Sequence, residues 1–311
     1  MNRIAIGVDV GGSHISCMAF DLDKRTFLRD SFSENDLDNH APANEIIDVW
    51  GRTLSKTIRK VGLGRLEGVG FAMPGPFDYV KGIPQFTGEN QKYENIYGIN
   101  ISVALRKYLE LPIGFPIRFI NDATAFAIGE DWMGNAEGFD RSLAITLGTG
   151  FGAAFLENGL PVVSGDRVPQ MGCLYHLSFE DGTADDYFST RGLVDRYNRK
   201  TGKEVEGGRE VAEAAMSEEA AKEVYHDFGS KLADFLEPWM NKFGVQALVI
   251  GGNISKAFDL FGPALKDAFQ QKGINAEVRI SQLKESAAMA GGSRLADSKF
   301  WRRVSPFLKE M

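Results

Sequence analysis

The chain has 311 residues, which at the usual ~100–200 residues per domain allows two domains and a substantial core and excludes a small disulfide-stapled module. Hydrophobic residues make up 43% and charged residues 25%, so neither a disordered nor a collagen-like chain fits, while 35 glycines, grouped at the ends of apolar runs, imply tight turns that approach something closely. Lys plus Arg is 35 against 42 for Asp plus Glu, a formal charge of −7 with no long basic run, so no nucleic-acid partner is expected.

The first segment, MNRIAIGVDVGG, carries one basic residue and an apolar stretch broken by Asp9, and no uninterrupted ~18-residue apolar run follows anywhere. Neither an export signal nor a membrane span is expected. Ile4–Val10 and Ile15–Phe20 are apolar runs parted by Gly11-Gly12-Ser13-His14, too short for a crossover helix, and so read as a β-hairpin. Thr26–Phe32 adds a third antiparallel strand. Over Asn44–Lys60, Ile46, Ile47, Trp50, Leu54 and Ile58 recur at three- and four-residue spacing and predict an amphipathic helix. Val69–Ala72 is a strand leading into the turn Met73-Pro74-Gly75-Pro76-Phe77-Asp78. Gly82–Asn100 is polar and aperiodic, as a binding loop is, and a helix follows over Ile101–Leu109. Ile117–Ile120 is a short strand, and Asn121-Asp122 opens a helix over Ala123–Trp132.

The start of the chain then repeats. Leu143–Leu147, Gly148-Thr149-Gly150 and Phe151–Leu156 copy the pattern of Ile4–Val10, Gly11-Gly12-Ser13 and the following strand, implying a duplicated architecture. Residues 181–208 are polar and read as an irregular surface excursion, Arg209–Phe243 as one long helix, Ala247–Ile250 as a buried strand ending in Gly251-Gly252, and Glu285–Ala296 as the last helix.

The glycine turns suit anion binding. The P-loop pattern GxxxxGK[ST] is absent, and Gly148-Thr149-Gly150-Phe151-Gly152 is followed by an apolar strand where a dinucleotide fingerprint must open a helix. What remains is two hairpin turns whose backbone N–H groups, with the Ser13 or Thr149 hydroxyl, can face a polyphosphate; two ordinary tight hairpins is the competing reading. Asp9 ends an otherwise apolar strand, a costly place for a carboxylate unless it is solvated, hydrogen-bonded or near a cation such as magnesium held through water. Asn121 and Asp122 fit two roles, a helix N-cap or, for Asp122, a general base toward a hydroxyl attacking a γ-phosphate.

The order DVGGSHISCMAFD, AMPGPFD, INDATAFAIGE, TLGTGFGAAFLENG, LVIGGNIS, ESAAMAGG resembles the ROK family of sugar kinases and sugar-sensing repressors over nearly the whole chain. The resemblance implies an α/β protein of the actin-like ATPase fold, two ribonuclease-H-like lobes closing around an interlobe cleft. Its expected division is residues 1–121, completed by about 290–311, and residues 122–289. It implies ATP and Mg2+, with Asp9, Gly11, Gly12 and Ser13 as the first phosphate loop and Asp9 reaching the metal through water. Gly148, Thr149 and Gly150 form the second loop, Gly251 and Gly252 the adenosine wall, and Asp122 the catalytic base beside the sugar-binding Asn121. Gly75 lies in the expected sugar-binding turn.

The departures fall on the sugar side. The family's cysteine-rich zinc loop is missing, and around Cys17 and Cys173 no CxxC or paired Cys/His spacing suggests a zinc site, so none is expected and a reducing cytoplasm fits. His176 is either a sugar contact or a packed histidine, Cys173 falls where a sugar-contacting glutamate is usual, and Gln85 replaces an asparagine that often contacts the sugar. Asp185 either stands in for a second glutamate or is an exposed loop acid. The leading expectation is a glucokinase-like monosaccharide kinase, homodimeric by resemblance. A sugar-binding regulatory protein without efficient turnover is the alternative, and a repressor needs a helix-turn-helix ahead of Ile4.

Overall fold

The structure is a computed structural model that describes residues 3–88 and 92–311. Residues 1–2 of the first segment and 89–91 of the expected binding loop lie outside the described residues. Two units divide the chain: residues 1–134 with 285–311, and residues 135–284.

The first unit opens with β1 (Ile4–Val10), β2 (His14–Asp21), β3 (Thr26–Asp36), α1 (Ala43–Val61) and β4 (Leu66–Met73). A two-strand ribbon, β5 (Phe77–Asp78) and β6 (Ile83–Pro84), precedes α2 (Ile101–Tyr108), β7 (Ile117–Asn121) and α3 (Asp122–Met133). The five-stranded sheet runs β3-β2-β1-β4-β7, with β3, β2 and β1 antiparallel and β1, β4 and β7 parallel. Parallel strands need their faces covered. One face receives α1, whose Trp50 is fully buried against Phe71 and Tyr93.

The second unit repeats this plan. Its elements are β8 (Arg141–Leu147), β9 (Phe151–Glu157), β10 (Leu160–Pro161), the ribbon β11 (Ser178–Phe179) and β12 (Gly182–Thr183), α4 (Ala184–Phe188), α5 (Thr190–Thr201), α6 (Gly208–Ala214), α7 (Glu219–Phe243), β13 (Ala247–Gly251), α8 (Phe258–Gln271) and β14 (Glu277–Ile280). The sheet order is β10-β9-β8-β13-β14, again antiparallel on one side of the central strand and parallel on the other. The duplication expected from the two glycine hairpins is thus a duplication of whole sheets.

The chain then returns to the first unit with α9 (Ser286–Arg294) and α10 (Ser298–Val304). Helix α9 lies so close to β4 and α3 that a Cβ on Gly70 would sit 1.9 Å from the Gly292 carbonyl oxygen and one on Gly129 2.0 Å from that of Ala287. Only glycine permits that approach, and it explains why α3 and all of α9 belong to the first unit, whereas the expected divisions fell after residues 121 and 289.

Three expectations are corrected. Residues 181–208 are not an irregular excursion: they form α4 and α5, and Phe188, Leu193 and Tyr197 are fully buried in the second unit's core. Phe188 stacks edge-on against Phe151 and Phe228. The charged residues between them masked a narrow apolar stripe, although Thr183 and Asp186 form a reciprocal capping box that marks the helix start. The long helix of 209–243 is two helices, because the chain leaves helical geometry between Ala214 and Glu219. The helix at 285–296 is not the last, since Asp297 accepts from the Lys299 and Phe300 amides and caps a new one.

Candidate active site

In open α/β sheets, ligands bind beyond the carboxyl ends of the parallel strands. In the first unit these ends carry the chemistry-bearing residues. Asp9 on β1 pairs with Ala72 on β4, Ala72 pairs with Ile120 on β7, and one position further Met73 pairs with Asn121. Past those positions come Gly11–Ser13, the turn containing Gly75, and Asp122.

Asp9 keeps a solvent-facing edge but is otherwise enclosed by protein, and none of the described residues gives its carboxylate a hydrogen bond or ion pair. Desolvation, then the Asp122 carboxylate, then that of Glu285, push its pKa up to about 7. Three acids thus share one electrostatic neighbourhood, and a hard cation with oxygen preference would relieve the repulsion.

The junction of β7 and α3 separates the two roles open to Asn121 and Asp122. Asn121 is the cap: its Oδ1 accepts from the Thr124 amide at 3.1 Å. Asp122 is the first residue of the helix itself. Its Oδ1 accepts from Asn121 Nδ2 at 2.9 Å and from the Ala123 amide at 2.8 Å, so both bonds fall on one oxygen and hold the carboxylate by the first turn of α3. Asn121 Nδ2 also reaches the Tyr79 hydroxyl at 3.4 Å, and that hydroxyl donates to the Met73 carbonyl at 3.1 Å. Gly75 lies beside Tyr79, whose hydroxyl would be 3.5 Å from a Cβ there, and the exposed Gln85 is tied by its amide to the Pro76 carbonyl at 3.0 Å. Asn121, Asp122 and Tyr79 thus share one hydrogen-bonded cluster, Gly75 lies against its tyrosine, and Gln85 is tied to the turn that holds Gly75.

The first glycine turn has every carbonyl engaged. Gly11 accepts from the Tyr93 hydroxyl, Gly12 from Asn39 Nδ2, and Ser13 from the Leu37 amide at 2.8 Å. Among the described residues the Gly12 and Ser13 amides have no protein acceptor.

In the second unit, β8 ends at the other glycine turn. The Gly148 amide donates to the Gly150 carbonyl at 3.1 Å, and the Gly148 carbonyl accepts from both the Thr190 amide, 2.7 Å, and its hydroxyl, 2.9 Å. Gly251 ends β13 at the same sheet edge. Gly252 has φ +81°, and a Cβ there would lie 2.3 Å from the Leu147 carbonyl oxygen, so a glycine is required where the chain leaves β13.

Asp185 has a definite place. Its Oδ1 accepts from the Phe151 amide at 2.7 Å, next to Gly150, and its Oδ2 pairs with Arg191 at 3.3 Å. It is neither a free loop acid nor an unengaged sugar ligand. Its amide also donates to the Tyr175 carbonyl, which links it to the loop of Cys173 and the exposed His176. Cys173 Sγ is 3.6 Å from His176 Nδ1, and burial pushes the thiol up to about 11, so it stays protonated at neutral pH. Tyr175 packs edge-on against the His176 ring.

Sequence reasoning missed Asn39, Tyr79, Tyr93, Thr190 and Glu285. All five lie far along the chain from the groups they serve; Asn39 left no pattern, and Tyr93 lay within the stretch 82–100 that reads as a binding loop without being singled out. Glu285 had a signal, since it opens the ESAAMAGG segment.

The model of the ROK family matches residues 5–299. Glucokinase of Thermotoga maritima is 26% identical over 93% of this chain and 96% of its own, and N-acetyl-D-glucosamine kinase of Haemophilus influenzae is 25% identical over 84% and 88%. The ROK hexokinase structure from Thermus thermophilus superposes with a TM-score of 0.77 at 20% identity, covering 96% of this chain and 99% of that one. The paired sheets are those of the actin-like ATPase fold, each unit ribonuclease-H-like.

Proposed function

Since the chain belongs to the ROK family, we propose that it is an ATP-dependent sugar kinase that phosphorylates a monosaccharide hydroxyl with Asp122 as general base. The observation that carries this reading is the division of labour at the start of α3. Asn121 takes over the cap, leaving Asp122 Oδ2 beyond the two bonds that anchor Oδ1. In the reaction, the sugar hydroxyl oxygen forms a bond to the γ-phosphorus, the bond from that phosphorus to the β,γ-bridging oxygen breaks, ADP leaves, and the hydroxyl proton passes to Asp122. Gly75, Gln85, Asn121 and His176 are the residues that this reading assigns to the sugar.

The donor sets fit a magnesium nucleotide. Gly12 and Ser13 present amides without protein acceptors, and Asp9 is a carboxylate in need of a cation. Asp9 would hold Mg2+ through water, and the ion, when bound, neutralises phosphate charge. In the second unit Gly148, Thr149 and Gly150 are assigned to phosphate and Gly251 and Gly252 to the adenosine. Asp185 is assigned to the glycine turn it already serves. The resemblance also supports a homodimer, testable by light scattering, and a cytoplasmic setting; among the described residues no helix is long and apolar enough to cross a membrane.

One observation favours a second reading, a sugar-binding regulatory protein without efficient turnover. Cys173, a protonated thiol against His176, stands where the family resemblance places a carboxylate. Turnover of the Asp122→Asn variant decides. For the kinase, kcat falls by ~10²–10⁴ with nucleotide binding retained; a wild-type protein that binds sugar but turns over no faster than the variant supports the regulator.

A further inference from the structure

A peptide group is planar, so the carbonyl of one residue and the amide of the next point in opposite directions as one rigid plate. Beside a glycine such a plate turns over more easily, because no side chain resists the change in φ or ψ on that side; Gly11 and Gly12 flank the first plate below, and Gly12 one side of the second. The Gly11 carbonyl and the Gly12 amide form one plate, and the Gly12 carbonyl and the Ser13 amide the next. Each is gripped by its oxygen: the first by the Tyr93 hydroxyl, the second by Asn39 Nδ2.

From these contacts we infer that Tyr93 and Asn39 are positioning residues that fix the first glycine turn with its amides outward, and so set the protein's affinity for the phosphates of a nucleotide. The inference deepens the kinase reading and rests on it.

The clamp is built. Tyr93 is fully buried, its ring packed between Trp50 and Phe86 at 5.9 and 5.6 Å. It adopts φ +57°, a left-handed conformation that an aromatic residue takes only when its surroundings impose it. Burial and the nearby Asp9 raise the pKa of its phenol, so it stays protonated and can only donate to the Gly11 oxygen. Asn39 is fixed in turn, because its backbone carbonyl accepts from the Tyr93 amide at 3.0 Å. Asn95 Nδ2 donates to the His40 and Ala41 carbonyls at 2.8 and 3.1 Å, strapping the two segments together. With the clamp removed, either carbonyl can swing into the face where phosphate oxygens would sit, replacing a donor by a repelling lone pair.

The second unit holds its own turn in the same way. Thr190 grips the Gly148 carbonyl with its amide and its hydroxyl, and thereby aims the Thr149 amide the other way.

The test is Tyr93→Phe, which deletes one hydroxyl and keeps the ring, and Asn39→Ala, each compared with Tyr225→Phe. Tyr225 is a buried tyrosine whose hydroxyl bonds the Gly208 carbonyl in the second unit. Magnesium ADP binding by calorimetry is read beside the steady-state constants for ATP and sugar. Expected are a roughly tenfold weaker ADP affinity and a similar rise in KM for ATP in each clamp variant, with the sugar KM within twofold and Tyr225→Phe like wild type. Unchanged ADP affinity in both clamp variants, or an equal loss in Tyr225→Phe, overturns the clamp. Failure of the wild-type protein to bind any magnesium nucleotide overturns the kinase reading instead. Should Asn39→Ala not fold, Tyr93→Phe decides alone.

Discussion

Replacing Asp9 by asparagine should stabilise the protein at alkaline pH and do so far less in mild acid. Enclosure, Asp122 and Glu285 raise this carboxyl from 3.8 to about 7 in the native state. Between those values the unfolded chain has lost the proton and the native one has kept it. The contribution of this carboxyl to stability is therefore greatest near and below pH 4 and is lost as the pH climbs to about 7. A carboxyl displaced that far costs on the order of 4 kcal/mol once ionised, and its solvent-facing edge reduces this to about 2–4 kcal/mol. Asparagine copies the neutral acid and carries no such dependence. Urea unfolding is followed by tryptophan fluorescence, to which Trp50, Trp132 and Trp301 contribute from the first unit. Asp9→Asn should lead wild type by about 1 kcal/mol or less at pH 4.5 and by about 2–4 kcal/mol at pH 8.5. A constant difference across pH, or a variant less stable at pH 8.5, refutes the electrostatic reasoning. The same variant should lose magnesium-dependent nucleotide binding, since a cation would relieve the charge that asparagine lacks.

Other outcomes follow from contacts already described. Gly70→Ala and Gly129→Ala place a methyl about 2 Å from backbone oxygens of α9 and should each cost about 2–4 kcal/mol, whereas Gly64→Ala, with open space around it, should be near neutral; thermal melts with equal losses would contradict the packing account. Asp185→Ala strips the Phe151 amide of its acceptor and should raise the KM for ATP about tenfold, while Asp185→Asn retains much of the affinity. A rise in the sugar KM alone would return Asp185 to the sugar side.

What the sequence made legible is what local chemistry dictates. The hairpins around Gly11–Ser13 and Gly148–Gly150 are bounded by apolar strands, and the duplicated start predicted two related sheets that the structure contains. Asn121-Asp122 could be placed at a strand-to-helix junction, but both side chains can cap, and only the observed bonds gave that role to Asn121. Helices α4 and α5 were illegible because Arg191, Asp195 and Arg196 interrupt their apolar positions, while burial there comes from tertiary partners such as Phe151 and Phe228. Asn39 and Tyr93 were beyond reach for a different reason. Their work is a contact with backbone distant along the chain, and no periodicity announces it.

The most direct test of the sugar-kinase account is ADP release from magnesium ATP across a panel of hexoses, N-acetylhexosamines and other monosaccharides, run in parallel on wild type and Asp122→Asn. The account predicts strong turnover with at least one sugar, abolished in the variant while its nucleotide affinity persists. Release of ADP that no sugar stimulates, or that Asp122→Asn sustains at the wild-type rate, would contradict it.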